Sequence, residues 1–329
     1  MEKSSNSSPQ SLLDVNFIIP TEAENEILKQ LDDAYTKVSL MTPEESAFLN
    51  ALVLREQPKK LLELGVSAGS SSIVILNAIK DIADAKLYSI DLNENLYYSP
   101  SFKTGCYVNN YPSLKSKWEL FTGDMAHRFM AKISTGIDFC LIDTAHVNPG
   151  EILDFLMVLP FLDDNAIVVF HDVAYHTFYP SRRANQMVKA AITNDLLMSS
   201  IAGKKILLGN YQRGETYFPN IAGIRINANT KENVFEIFNL LKLKWYYLPT
   251  DDQEKEMVSF FEKYYNKYYI NYLKDVFKYQ RQISIMENRP RIRIETIIKE
   301  IIGKENVEKL KKLLKKDNHK QILQQARKH

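Results

Sequence analysis

The stretch LLELGVSAGSSSIVIL, residues 61–76, decides the fold. An apolar run passes through Glu63 and closes on Leu64. Glycines follow at 65 and 69, and a run of serines leads into a second apolar segment. That order reads as strand, tight turn, helix. Gly65 and Gly69 let the backbone bend sharply and approach a ligand without side chains in the way. Ser70–Ser72 suit the start of the following helix. Glu63, just before the turn, is placed to accept hydrogen bonds from a cationic or hydroxylated ligand. In an open α/β sheet such a turn faces the crevice beyond the strand ends, where ligands bind.

Working outward, short apolar runs recur as strand candidates: KLLELGV, AKLYSID, WELFTGD, IDFCLID, AIVVFHD, KILLGNY and IAGIRIN. Segments such as SSSIVILNAIKDIADA and PGEILDFLMVLPFL between the first five are long enough for helical crossovers. Continuous, non-alternating apolar strands alternating with helices indicate a mainly parallel sheet covered on both faces. Upstream, TEAENEILKQLDDAYTKV carries a capping-box pattern at Thr21 and Glu24, and TPEESAFLNALVL a Thr-Pro start. Downstream of Asn227 the pattern becomes helical. Phe260/Phe261, Tyr264/Tyr265, Tyr268/Tyr269 and Tyr272 recur at four-residue steps and predict one aromatic-sided helix.

The 329 residues suffice for one large α/β domain with appendages, and 45% hydrophobic with 25% charged residues is ordinary for a soluble globular chain. No apolar run approaches the roughly 20 residues that span a bilayer. Two cysteines, Cys106 and Cys140, make neither a disulfide framework nor a zinc site, so a reduced cytoplasm is the expected compartment. The net charge of +2 hides an asymmetry. Residues 276–329 hold 15 basic against 6 acidic side chains, while the remainder holds 27 against 34. An acidic body with a basic tail argues against a nucleic-acid partner, because the body would repel a phosphate backbone.

LYSID ends on Asp91, where a carboxylate can take both hydroxyls of a ribose. A dinucleotide or S-adenosylmethionine satisfies that placement. The turn reads Glu63-x-Gly65-x-Ser67-x-Gly69 and has no third matching glycine for a pyrophosphate, and its carboxylate suits a sulfonium better than a phosphate.

LLELGVSAGSS, LYSIDLNE, WELFTGDMA and IDFCLIDTAHVNPGEILDFLMVLPFLDDNAIVVFHDV follow one another as in the class I S-adenosylmethionine-dependent methyltransferases. Over about residues 58–226 the chain resembles the branch that methylates sugar and small-molecule hydroxyls in bacterial glycan and macrolide pathways. The resemblance implies a Rossmann-like α/β fold: a seven-stranded, mainly parallel sheet with its last strand antiparallel and helices on both faces. It implies cofactor contacts at Glu63, Gly65, Ser67, Gly69, Asp91, Asp124, Met125 and Asp143. Two positions depart from the family pattern: Ser67 in the glycine motif, and DDNA before the fifth strand.

Methyl transfer to an alcohol requires alignment and removal of the hydroxyl proton, by a positioned histidine or through a metal-bound alkoxide. Neighbouring fourth and fifth strands would deliver Asp143 and Asp172 side by side, with His146 and His171 beside them. The resemblance implies His146 as base and Asp143 with Asp172 as ligands of Mg²⁺ or another divalent cation. Val173 stands where the catechol-type branch has Asn, and no third ligand is evident. Asp143 and His171 also have structural readings, a loop cap and a hydrogen-bonded strand end. Tyr175, His176 and Tyr179 lie where acceptor specificity usually resides, with Arg182 and Arg183 beyond.

The expected organisation is a disordered leader (1–16), N-terminal helices (17–57), the S-adenosylmethionine-binding methyltransferase domain (58–228), an aromatic-rich helical extension (229–289) and a basic amphipathic tail (290–329). The tail would suit an anionic membrane surface, putting the protein peripherally at the inner face. The tyrosines of the aromatic helix would pack onto the domain or onto a second subunit of a homo-oligomer, with stacking of exposed rings on sugars as the functional alternative. The expected activity is O-methylation of a sugar, glycan or related metabolite. The rivals are a non-catalytic scaffold in glycan assembly and an NAD-dependent sugar oxidoreductase.

Overall fold

The computed structural model describes residues 15–31, 39–177, 191–210 and 219–288. The chain divides into two compact units, Met1–Gln280 and Arg281–His329. Arg182, Arg183, Tyr179 and the basic tail from 290 lie outside the described residues.

In chain order the elements are β1 (Val15–Ile18), α1 (Glu22–Leu28), α2 (Pro43–Glu56), β2 (Lys60–Leu64), α3 (Ser70–Ala78) and β3 (Lys86–Asp91). A two-stranded hairpin follows, β4 (Asn95–Leu96) and β5 (Ser99–Lys103), then β6 (Trp118–Thr122) and β7 (Ile137–Ile142). After these come α4 (Gly150–Val158), β8 (Leu162–His171), α5 (Thr193–Ser200), β9 (Lys204–Leu208) and β10 (Ile221–Arg225). The extension comprises α6 (Val234–Leu240), α7 (Asp251–Phe261) and α8 (Lys267–Asn288).

The main sheet runs β1-β9-β10-β8-β7-β2-β3-β6. All seven expected strands are present, and β10, the last, is antiparallel to both β8 and β9. An eighth strand adds to them. Val15 and Asn16, read as the end of a leader, open β1, which pairs in parallel with β9 at the edge. The strand order reverses between β2 and β7, the place where an α/β sheet opens its crevice.

Strand residues alternate between two buried faces. Leu61, Leu87, Phe139, Leu141, Ile167 and Val169 pack with Phe48, Leu49 and Leu52 of α2 and Ile73 and Leu76 of α3. Leu62, Leu64, Cys140, Ile142, Val168 and Phe170 pack with α4 and with α6–α8 of the extension. Both faces are therefore apolar, which is why the strands read as unbroken hydrophobic runs. Thr21–Glu24 and Thr42–Glu45 each form the full capping box.

The aromatic segment is two helices, not one. It breaks at 262–266 between α7 and α8. Phe260, Phe261, Tyr265 and Tyr269 pack inward, with Tyr269 stacked on Phe238 at 5.0 Å and Tyr265 hydroxyl donating to Leu156 O at 2.6 Å, while Tyr264 and Tyr268 are exposed. Four-residue spacing persists across a break because each ring packs on its sequence neighbour, as Phe261 does on Tyr265.

Candidate active site

The parallel register aligns the strand ends. Leu64 pairs with Ile90 and with Ile142, and Ile142 with Phe170. The next residues, Gly65, Asp91, Asp143 and His171, therefore stand in a row along the carboxyl edge. Gly65 has φ +87°, and a Cβ there would lie 1.8 Å from the Asp143 carbonyl oxygen. Only glycine fits between two strand ends that close. Gly69, at φ +95°, ends the turn and opens α3 without a side-chain cap.

Asp91 is what holds the turn. Its Oδ2 accepts from the amides of Val66 (2.9 Å) and Ser67 (3.0 Å), and its Oδ1 from the Asn93 amide (2.8 Å). Each carboxylate oxygen can accept more than these bonds use. Asp91 lines a cavity of about 520 Å³ together with Gly65, Ser67, Asp124, Met125, Asp143 and His146. The size is that of a small-molecule or cofactor site.

Beside the glycine turn the acids and imidazoles converge, with Asp143 and His146 at the cavity wall. His171 is buried, with Nδ1 3.4 Å from Asp143 Oδ2 and 3.6 Å from Asp172 Oδ1. Its Nε2 lies 3.3 Å from Oε2 of Glu45, which reaches in from the first turn of α2. His146 Nε2 lies 3.3 Å from Asp172 Oδ2, and its Nδ1 3.5 Å from Glu151 Oε1 and 3.9 Å from Asp143 Oδ1. Glu151, fully buried in the first turn of α4, also accepts the His146 backbone amide. Asn220 donates to Asp172, and Asn194 donates to the His171 carbonyl at 2.6 Å.

Burial opposes the charge on His146, His171 and Asp143, but their partners outweigh it. His146 loses solvation, yet Glu151, Asp143 and Asp172 raise it to about 9. His171 is likewise pushed well above the usual imidazole range by Asp143 and Asp172. Burial pushes Asp143 up, and His171 and His146 together hold it below the usual carboxylate range. Asp154, which accepts from the Thr144 hydroxyl at 2.7 Å, is raised to about 7 by burial, with Glu151 adding to the rise.

Ser67, His146 and Asp172 all hold left-handed backbone, φ +50°, +59° and +57°. For side-chain-bearing residues this is strained, and such strain collects at functional sites. The buried Ser67 hydroxyl has no hydrogen-bond partner, which fits a turn built to receive a polar ligand.

The expected site residues divide. Gly65, Ser67, Asp91, Asp124, Met125, Asp143 and His146 line the cavity. Glu63 and Gly69 are not among its lining residues. Glu63 lies fully buried behind the turn, where its oxygens accept from Ser71, Ser72 and Ser89, each at 2.6 Å, and burial raises its pKa. Ser71 and Ser72 therefore satisfy a buried carboxylate instead of capping α3, because an unpartnered buried acid costs more than an uncapped helix end. His171, behind the two acids, and Asp172 are not among the lining residues.

The sequence reading missed Glu45 and Glu151. Both sit at first-turn positions where acids are routine for capping, so nothing in the local pattern marks them. Asp143, His146 and Asp172 can each offer one ligand atom within 4.8 Å of the others, and this donor set fits a divalent cation.

Residues 62–173, from within β2 to just past β8, match the family model described as a methyltransferase domain. No curated protein matches the sequence. The chain is similar to many solved structures, among them two O-methyltransferases and a further methyltransferase. The O-methyltransferase TomG from Streptomyces achromogenes, in complex with S-adenosylmethionine, is 15% identical over 64% of this chain and 92% of that one, with TM-score 0.43. The O-methyltransferase from Bacillus cereus, in complex with S-adenosylhomocysteine, is 16% identical over 63% and 93%, with TM-score 0.42. The S-adenosylhomocysteine-bound methyltransferase PaMTH1 from Podospora anserina is 14% identical over 65% and 100%, with TM-score 0.46.

Proposed function

We propose that the protein is an S-adenosylmethionine-dependent O-methyltransferase acting on a hydroxyl of a sugar or related small metabolite. The observation that carries this is one cavity lined by two sets of groups. The Asp91-braced glycine turn supplies one, and Asp143 with His146, braced by Glu151, the other. Gly65, Ser67, Asp91 and the Asp124–Met125 pair would hold the cofactor, which supplies a methyl carbon already activated by its sulfonium.

The chain's own residues then do the remaining work. His146 Nε2 takes the acceptor proton as the hydroxyl oxygen bonds the methyl carbon and the carbon–sulfur bond breaks with its electron pair on sulfur. Asp172, at 3.3 Å, stabilises the imidazolium that results. Asp143 orients the acceptor. Tyr97 and Tyr247 line the cavity with exposed rings, which suits stacking on a sugar face.

A second reading rests on the donor set. Asp143, Asp172 and His146 would hold a divalent ion of mixed nitrogen and oxygen preference, which would acidify the bound hydroxyl. His146 is then a ligand and not the base. Dialysis against EDTA separates the two. Activity that survives it belongs to the imidazole base, and activity lost and restored by Mn²⁺ belongs to the ion.

Calorimetry tests the first step. S-adenosylmethionine should bind saturably, and Asp91→Asn, which spares one acceptor oxygen for the turn, should weaken binding at least tenfold. Labelled methyl should appear in a small-molecule or glycan fraction and vanish in His146→Ala. Binding without any transfer would favour the scaffold reading, and nicotinamide binding the oxidoreductase.

A further inference from the structure

The cavity has a wall that the sheet does not supply. Leu248, Pro249, Gln253 and Met257 line the same space as Asp124, Met125 and Ala126. They belong to the extension, beyond the last sheet strand: Leu248 and Pro249 precede α7, and Gln253 and Met257 lie on it.

Three sets of contacts fix this wall. Gln280, buried on α8, donates to the carbonyls of Leu241 (3.1 Å), Lys242 (3.2 Å) and Leu243 (2.8 Å) and accepts from the Trp245 amide (3.2 Å). Asn148, in the loop that carries His146, donates to Leu243 O at 2.8 Å, and its own carbonyl accepts from the Tyr246 amide at 2.9 Å. Arg128, four residues past Asp124, pairs with Glu256 of α7 at 2.6 Å. One side of the cavity is thus clamped to the extension at both of its ends.

The chemistry of the enclosed space changes along its length. Around Asp143, Thr144, His146 and Asp154 it is polar. Where Met125, Ala126, Leu248 and Met257, members of one apolar cluster, line it, it is apolar, and Gln253 of α7 adds a carboxamide. Gln253 spends its Oε1 on the Thr250 amide at 2.9 Å, which leaves its N–H₂ group to donate. An apolar slot with a single donor suits a flat heteroaromatic base with ring-nitrogen acceptors.

We propose that Leu248, Gln253 and Met257 bind the nucleobase of the methyl donor, so that the C-terminal extension is part of the cofactor site. The assignment rests on the cofactor reading above. It makes the extension a requirement for cofactor binding instead of an appendage for a partner.

The test is calorimetric titration of S-adenosylhomocysteine and of adenosine into the full chain and into Leu248→Ala, Gln253→Ala and Gln253→Glu. The last keeps the acceptor for the Thr250 cap and loses the donor. Each variant should bind both ligands about 5- to 20-fold more weakly, with its unliganded melting temperature within about 2 °C of the parent. Variants that bind S-adenosylhomocysteine within twofold of the parent overturn the proposal while leaving the cofactor reading intact. Weakened S-adenosylhomocysteine with unchanged adenosine also overturns it, since the contact would then be to the amino-acid part. A parent chain that binds neither ligand brings down the cofactor reading and this assignment together.

Discussion

His146 carries the highest chemical demand of any single residue. Its left-handed backbone is held by Glu151, which takes the amide and faces Nδ1, so Nε2 is the nitrogen turned to Asp172. With a pKa raised to about 9, the ring is protonated at neutral pH. A base must be neutral, so kcat/KM for the methyl donor should rise about tenfold per pH unit from 6 to about 8.5 and level near 9. Glu151→Gln removes a charge that raises the ring, so the plateau should move to lower pH and fall in height. An unchanged pH–rate profile would remove Glu151 from the mechanism. The same shift has a stability consequence. The folded chain holds this proton more tightly than the unfolded one, so the contribution is complete below about pH 6.5 and disappears as pH rises through about 9.

Among the elements, the connection from α6 to α7 shows how irregular backbone is kept in place. Four polar backbone groups in residues 241–245 are paired by one side chain, Gln280. Leu241 O keeps the Trp245 indole N–H and Leu243 O keeps Asn148, so Gln280→Ala strands the Lys242 carbonyl and the Trp245 amide, at about 1–3 kcal/mol for each group that water fails to reach. Chemical denaturation should show a loss of at least about 2 kcal/mol. S-adenosylhomocysteine affinity should fall with it, although the residue lies on the helix after the one that lines the cavity. A loss of stability with unchanged affinity would mean that this segment folds correctly without its template.

At the scale of the whole molecule, ligand binding and folding are linked. A ligand held only by the folded chain adds about 2.7 kcal/mol at a hundredfold excess over Kd. For a chain of this size that corresponds to a rise in Tm of about 2–4 °C. S-adenosylhomocysteine should produce it and NAD should not, which can be read in one thermal scan of each. Among the described residues no helix is long and apolar enough to cross a membrane. The described body is a two-faced sheet whose crevice is lined by the hairpin region, through Asn95 and Tyr97, and by the extension.

Much of this was legible in residues 61–76 and in the strands that follow. Unbroken apolar strands, a glycine turn and an acid at the end of the next strand suffice for the fold, because both faces of a parallel sheet must be buried and the turn must admit a ligand. The same local pattern put Asp91, Asp143, His146 and Asp172 at strand ends, and parallel register then brings them to one edge. It could not reveal that Glu63 points away from the crevice, that Glu45 and Glu151 serve the histidines, or that Gln280 builds a wall. Those roles depend on which groups meet after burial. A carboxylate on one helical turn looks the same in sequence whether it meets water, a backbone amide or an imidazole, and only the packed structure distinguishes them.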